Sequence, residues 1–292
     1  KEKQEGVKEA RAFSGSPVRW GKVLDRVFGK PDLAFVGTGE DTTMEGWGYY
    51  AAQVRDTAQV YKEQRETEKK IEDDGVVYWG DDTVTEMPGW WEDRATLYEI
   101  DVPDADMALF MDADLAFDKQ SPEVQEALTN VVSGVPQKYI PYQLDPKRTV
   151  NGIYRALTEA IEKKQGIERG EAKKVLSLAL ADEGVPGLRF WDQFSRRIDA
   201  RPTPEGFVAR LIDATGSVEG AIAEIQSRIA DGEIRKVTDP ETVSPDSEFQ
   251  GPEALEILQT IGDPRTYNYV IWDQDVLDRS EVKSIDDVPV NQ

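Results

Sequence analysis

The chain has 292 residues, with 57 Asp and Glu against 35 Lys and Arg and a formal net charge of −22. That balance argues against autonomous binding to nucleic acid or to an anionic membrane, because neutralising phosphates takes clustered cations. With neither Cys nor His, disulfides, thiolate nucleophiles, Cys/His zinc sites and every Ser-His or Cys-His arrangement are excluded, which leaves carboxylates, hydroxyls, amides, Lys, Arg or a bound cofactor to do any chemistry.

Residues 1–10 read as a polar helix or tail, and RAFSGSP (11–17) as a short strand with Phe13 inward, broken by Gly15 and Pro17. The apolar run LAFVG (33–37) suits a buried strand ending at glycine. WGYYAA (47–52) reads as another strand feeding a helix from about 52 to 70, on which Val54, Ala58 and Tyr61 share one face. VVYWG (76–80) and ATLYEIDVP (95–103) are β-rich. Ser121-Pro122-Glu123 opens a helical segment, 120–185, with a capping hydroxyl and a proline in its first turn. Ile153, Leu157 and Ile161 mark the next helix there. Ala172, Val175, Leu176, Ala179 and Leu180 form an apolar stripe ended by Gly184 and Pro186.

GLRFWD (187–192) returns to strand. Residues 196–264 hold one clear amphipathic helix, Val218-Ala221-Ile222-Ile225-Ile229, and a shorter one near 252–261. TYNYVIWD (266–273) is the strongest strand signal and is expected to pair with an early strand. Strands at both ends with helices between them predict an α+β class: one domain over 1–292, with 196–264 as an insertion. No apolar run approaches the roughly 18 residues of a membrane span, and the charged start KEKQEGVKEA is not a signal peptide. The first residue is Lys, as expected of a piece cut from a longer polypeptide.

GTGE (37–40) lacks the Lys and Ser/Thr of a P-loop and does not fit G-x-G-x-x-G, so a plain turn is the expectation. Asp112/Asp114, and Asp73/Asp74 with Asp81/Asp82, lack calcium-loop spacing and read as solvated surface; no metal is expected. Trp90 and Trp91 are expected to cover a core edge rather than bind sugar. Tyr50 and Tyr61 are eleven residues apart. On one helix they would stand about 16 Å apart; on a strand and a helix folded back beneath it, their rings can meet across a flat ligand.

FSGSP, GTGE, EGWGYYAA, the following VY and the distant YNYVIWD, in that order and spacing, resemble the ADP-ribosyltransferase domain of phage polyvalent proteins. The pattern is more distantly similar to the poly(ADP-ribose) polymerase and diphtheria-toxin branch. The likeness takes in LYEIDVP and GVPGLRFWD and covers most of 11–192 with 266–277, leaving 196–264 outside. It implies a split β-sheet gripping NAD as substrate. Gly15 would offer backbone N–H and C=O to the nicotinamide carboxamide, Ser16 would bond the nicotinamide ribose, and Tyr50 and Tyr61 would stack on the nicotinamide.

Ser14 stands where that branch has His, and would bond the adenosine ribose. Asn268 stands where it has the catalytic Glu, and Ala58 replaces a Ser. Asn is neither a general base nor a negative charge, so poly-ADP-ribose elongation is not expected. Mono-ADP-ribosylation then requires another acid, such as Glu40. The resemblance implies NAD and a host protein acceptor as partners, with other phage proteins as further partners, and work in the bacterial cytoplasm or carriage in a virion. Two alternatives stay open: a catalytically degenerate fold serving as a virion or host-interaction module, and an NAD glycohydrolase.

Overall fold

The computed structural model describes residues 10–16, 31–33, 36, 46–71, 76–79, 82–86, 96–136, 144–192, 195, 198, 203–231, 251–261 and 263–290. Glu40, Asp73, Asp74, Asp81, Trp90 and Trp91 lie outside them. The chain divides into two compact units, residues 1–190 with 268–292, and residues 191–267.

In the first unit, β1 (Ala10–Ser16) and β2 (Tyr49–Ala52) precede α1 (Arg55–Glu68). β3 (Lys69–Ile71), β4 (Val76–Trp79) and β5 (Asp82–Glu86) form a separate antiparallel sheet. There follow β6 (Thr96–Val102), the short α2 (Asp104–Met107), β7 (Met111–Asp112), α3 (Pro122–Ser133), α4 (Val150–Gln165), α5 (Arg169–Asp182) and β8 (Gly187–Trp191). After the second unit come β9 (Tyr267–Ile271), α9 (Gln274–Arg279), β10 (Glu281–Ile285) and β11 (Val288–Pro289), numbering from α6 (Pro204–Thr215), α7 (Val218–Ala230) and α8 (Gly251–Thr260) within that unit.

The helices begin and end where local chemistry directs. The Ser121 hydroxyl accepts from the Val124 N–H at 3.3 Å, with proline in the first turn of α3. Thr149 caps α4, and Gly166, at φ 66°, ends it in the left-handed conformation that glycine adopts without strain. α6 carries the same signals, a Thr203 cap, Pro204 and then Gly216 at φ 81°, although the acid-studded stretch around it hides its apolar face from a periodicity reading.

The main sheet has eight strands in the order β11-β10-β6-β1-β2-β9-β8-β7. β7 and β8 run parallel, and the registered pairs of β1, β2, β6, β9 and β10 run antiparallel, so a mixed sheet with helices is consistent with the α+β expectation. The late strand β9 pairs with the early β2, Tyr50 opposite Val270 and Ala52 opposite Asn268. The Trp272 N–H donates to Pro186 C=O, and the Asp192 N–H to Thr266 C=O, both at 3.0 Å. The constant sum of those residue numbers is the mark of an antiparallel pair, so β8 and β9 are the two arms of a hairpin interrupted by the second unit.

That unit is a three-helix body. Val208, Leu211 and Ile212 of α6 pack with Ala221 and Ile225 of α7 and Ala254 and Leu258 of α8. Its two ends are laced by Asp192, which accepts from the Ser195 N–H at 2.7 Å and from the Thr266 hydroxyl. Arg265 is held by Asp213 and Asp263 and lies over the Trp191 ring at 4.5 Å. Those carboxylates outweigh burial and raise the guanidinium above its ordinary value.

Two expectations change. In the LAFVG run the described residues form a turn, Val36 N–H donating to Leu33 C=O at 3.2 Å, while the Leu33 N–H donates to the Gln274 side chain. A five-residue apolar run carries no period to separate strand from buried turn. Asp112 is not solvated surface: it is 2% exposed, accepts from Arg189 at 2.9 Å and receives the Asp114 N–H. Among the described residues, no helix is long and apolar enough to cross a membrane.

Candidate functional site

Antiparallel partners present their side chains to the same sheet face, and residues two apart along a strand share it. The registers therefore sort the sequence-selected residues. Phe13 pairs with Ala52, Ala52 with Asn268, and Tyr50 with Val270. Gly15 belongs with Phe13, so Gly15, Tyr50 and Asn268 share one face. Tyr50 and Asn268 are diagonal neighbours across the β2–β9 ladder, a spacing of about 7–8 Å.

Helix α1 covers the Gly15 end of this face. A Cβ on Gly15 would stand 2.4 Å from Ala58 O and 2.5 Å from Lys62 N, so only glycine lets this turn of the helix lie directly on the strand. Ala52, Ala58 and Leu97 close the contact, with Phe13 against them. Tyr61 lies within that turn and is 40% exposed. It sits about 100° around the helix from Lys62.

The main chain of Gly15 is directed by the neighbouring ladder. Leu97, its partner on β6, gives its N–H to the Asp286 carboxylate at 3.0 Å and receives the Asp286 N–H on its C=O at 2.8 Å. Leu97 thus faces away from β1, and the pair with Gly15 is of the non-hydrogen-bonded kind, in which both residues turn their amides outward. The N–H and C=O of Gly15 point to the β2 side. There the registered pairing of β1 with β2 is Phe13 with Ala52 alone; continued, it would set Gly15 opposite Tyr50.

Tyr50 is fixed by its own loop. Its hydroxyl accepts from the Gly46 N–H at 3.1 Å and donates to Gly46 C=O at 2.8 Å. Burial raises the Tyr154 phenol of α4 to about 12, against the effects of Ser177 and the Trp47 backbone. Tyr154 stacks on Trp272 at 6.3 Å and 14°, supporting the segment from which Tyr50 hangs.

Asn268 is 6% exposed, and its Oδ1 is buried without a hydrogen-bond partner among the described residues. An unpaired buried acceptor costs about 1–3 kcal/mol, so a group kept in that condition fits a site that awaits a donor.

The ladder does not bring Ser14 and Ser16 to this face. They alternate to the opposite one, opposite Tyr98 and Thr96, and both are 5% exposed. Tyr49 lies on that opposite face too, its phenol raised chiefly by burial, with Ser14 acting in the other direction. Glu40 lies outside the described residues. No group of three or more carboxylates among the described residues is arranged to hold a metal.

Four residues of the neighbourhood carry no motif. Arg55 donates to both Asp287 oxygens, at 2.9 and 2.5 Å, and Lys62 donates to Asp286 at 2.9 Å. Their signal is the segment EVKSIDDVPV, where two acids between alternating residues suit a two-residue hairpin with positive φ at both turn positions. Asp286 and Asp287 adopt φ 49° and 63°, and Ile285 pairs with Val288.

No family model, curated protein or solved structure matches this chain.

Proposed function

We propose that this chain is a mono-ADP-ribosyltransferase-like phage protein that binds NAD on the face shared by Gly15, Tyr50 and Asn268, with Tyr61 closing over the nicotinamide. The observation that carries the reading is the buried Oδ1 of Asn268 beside Tyr50, without a partner among the described residues and suited to accept from a ribose hydroxyl. The outward amide of Gly15 at the β1–β2 split supports it, since a carboxamide needs one donor and one acceptor. Tyr50, with its hydroxyl already occupied by Gly46, offers a ring face rather than a hydrogen bond. Ser14 and Ser16 take no part in this version of the site.

Stacking and paired amide bonds would hold the nicotinamide while its N-glycosidic bond lengthens toward an oxocarbenium-like state. Nicotinamide leaves with the bonding pair; a nucleophile on a host protein bonds to the ribose C1′ and releases its proton. Asn268 orients the ribose and takes no proton, so transfer calls on another acid to receive it, for which Glu40 is the sequence candidate. Asn268 also supports a second reading, a degenerate transferase fold that binds NAD without turnover and serves as a virion or host-interaction module. Water as acceptor would make the protein an NAD glycohydrolase. The proposed setting is the bacterial host cytoplasm, with carriage in the virion.

Incubation with labelled NAD and bacterial lysate tests the reading. Label should appear on a host protein and vanish in Tyr50→Ala; release of nicotinamide without labelled protein points to the glycohydrolase. Asn268→Glu places a carboxylate at the ribose and should raise NAD cleavage by roughly a hundredfold. Neither turnover nor NAD binding in both proteins defeats the proposal, and binding without turnover in the wild type selects the degenerate module.

A further inference from the structure

We propose that Asp286 is a positioning residue for this site: acting through Lys62, it seats the Tyr61-bearing turn of α1 on Gly15 and so sets the grip on the nicotinamide end of the dinucleotide. The inference rests on the NAD reading above for its ligand, and on the β10–β11 turn for its geometry.

One oxygen of Asp286 accepts from the Leu97 N–H at 3.0 Å and from Lys62 Nζ at 2.9 Å, while its backbone N–H donates to Leu97 C=O at 2.8 Å. A single turn residue therefore fastens β6 and α1 together. The side chains are 20% exposed for Lys62 and 18% for Asp286, shielded enough to hold more firmly than a surface pair. Arg55 and Asp287, at 40% and 62%, add a second and more exposed tie.

The seat beneath α1 explains why a flank tie matters. At Gly15 the atoms that would lie nearest a Cβ are all backbone atoms of the helix, Ala58 O and the N and Cα of Lys62. A smooth seat of this kind resists compression but not sliding or lifting, so the helix is fixed from its edge. Tyr61 lies about 100° around α1 from Lys62 and about 120° from Arg55, on the flank away from both ties. Releasing Lys62 tilts the turn about Gly15 and moves Tyr61 with it.

Asp286→Asn is the informative substitution. Asparagine tolerates the positive φ of this turn and keeps an oxygen for the Leu97 N–H, so only the charge that holds Lys62 is removed. Lys62→Met is the reciprocal change, and Lys62→Arg restores the pair. Amide exchange of residues 58–62 without nucleotide reports the seating directly, and calorimetric titration with NAD and with ADP-ribose, which lacks nicotinamide, reports the grip.

Asp286→Asn and Lys62→Met should each speed exchange in that turn and weaken NAD about tenfold, leaving ADP-ribose within about twofold. The double variant should lose no more than either single one, and Lys62→Arg should behave as wild type. Unchanged exchange overturns the inference. So does an equal loss for NAD and ADP-ribose, which describes general loosening. If the wild type binds neither nucleotide, the NAD reading falls by itself, and the exchange result alone decides whether Asp286 seats the helix.

Discussion

The eight-stranded sheet of the first unit turns two different faces to its surroundings. One carries Ser14, Tyr49, Tyr98, Ile100, Tyr269 and Ile271, all buried. The other carries Phe13, Gly15 and Tyr50, only partly covered, beside the buried Ala52, Leu97 and Val270, and Asn268, buried with an acceptor that no described residue satisfies. The first face is built from side chains that fill space. On the second, Gly15 is kept bare by the close approach of α1, and the hydrogen bond that Asn268 lacks among the described residues is a feature that packing alone does not select. One set of strands thus gathers the residues proposed to hold the ligand on a single face, using only the two-residue alternation of the chain.

The sharpest way to break this contrast is a cavity on the packed face. Ile100 is 1% exposed, and Ile100→Ala should cost about 4 kcal/mol, read as a lower urea midpoint; a loss below about 1 kcal/mol would show that this face is not the core of the unit. Alkali tests the buried phenols next. Burial lifts Tyr154 to about 12 from an ordinary 10.0, and raises Tyr49 as well. Well below pH 10 both phenols are protonated in folded and unfolded chains alike, so their contribution is fully present and does not change with pH. Above it the unfolded chain releases these protons first, and stability falls as pH rises through about 12. Tyr154→Phe should flatten that fall by about 3 kcal/mol; an unchanged alkaline slope counts against the buried neutral phenol.

On the other face, Gly15→Ala drives a methyl into peptide atoms of α1 and should cost about 2 kcal/mol, with exchange concentrated in α1 rather than spread through the sheet. The smallest effect is the most telling. Asn268→Leu removes a buried acceptor that no described residue satisfies, so stability should hold or rise within about 1 kcal/mol while NAD binding is lost; a drop like that of Ile100→Ala would reassign Asn268 to the packed set.

Much of the architecture was legible in the sequence wherever period and punctuation agree. The alternation of LYEIDV, the Ser121-Pro122 start and the stripe from Ala172 to Leu180 each lie in the element they suggest, because burial of a regular apolar face is what selects those residues. LAFVG was not legible, since its end is fixed by the distant side chain of Gln274. The adjacency of Tyr50 and Asn268 followed from pairing a late strand with an early one. Which face Ser14 and Ser16 join did not, because a glycine flanked by serines reads identically until a partner strand sets the register. The seating of α1 was hidden for a related reason: Lys62 and Asp286 are separated by 224 positions, and no local pattern spans that distance.

The interrupted hairpin formed by β8 and β9 has a consequence for the order of events during folding. Closing a pair of strands across so long a loop is entropically slow when the loop is a free coil. The intervening three-helix body, built from near-neighbour contacts among α6, α7 and α8 and tied at its ends by Asp192 and Thr266, can form early and deliver both strand ends side by side. An inserted domain then acts as a splint: it converts a long-range crossing of the central sheet into a local one, and the residue that follows it directly on β9 is Asn268.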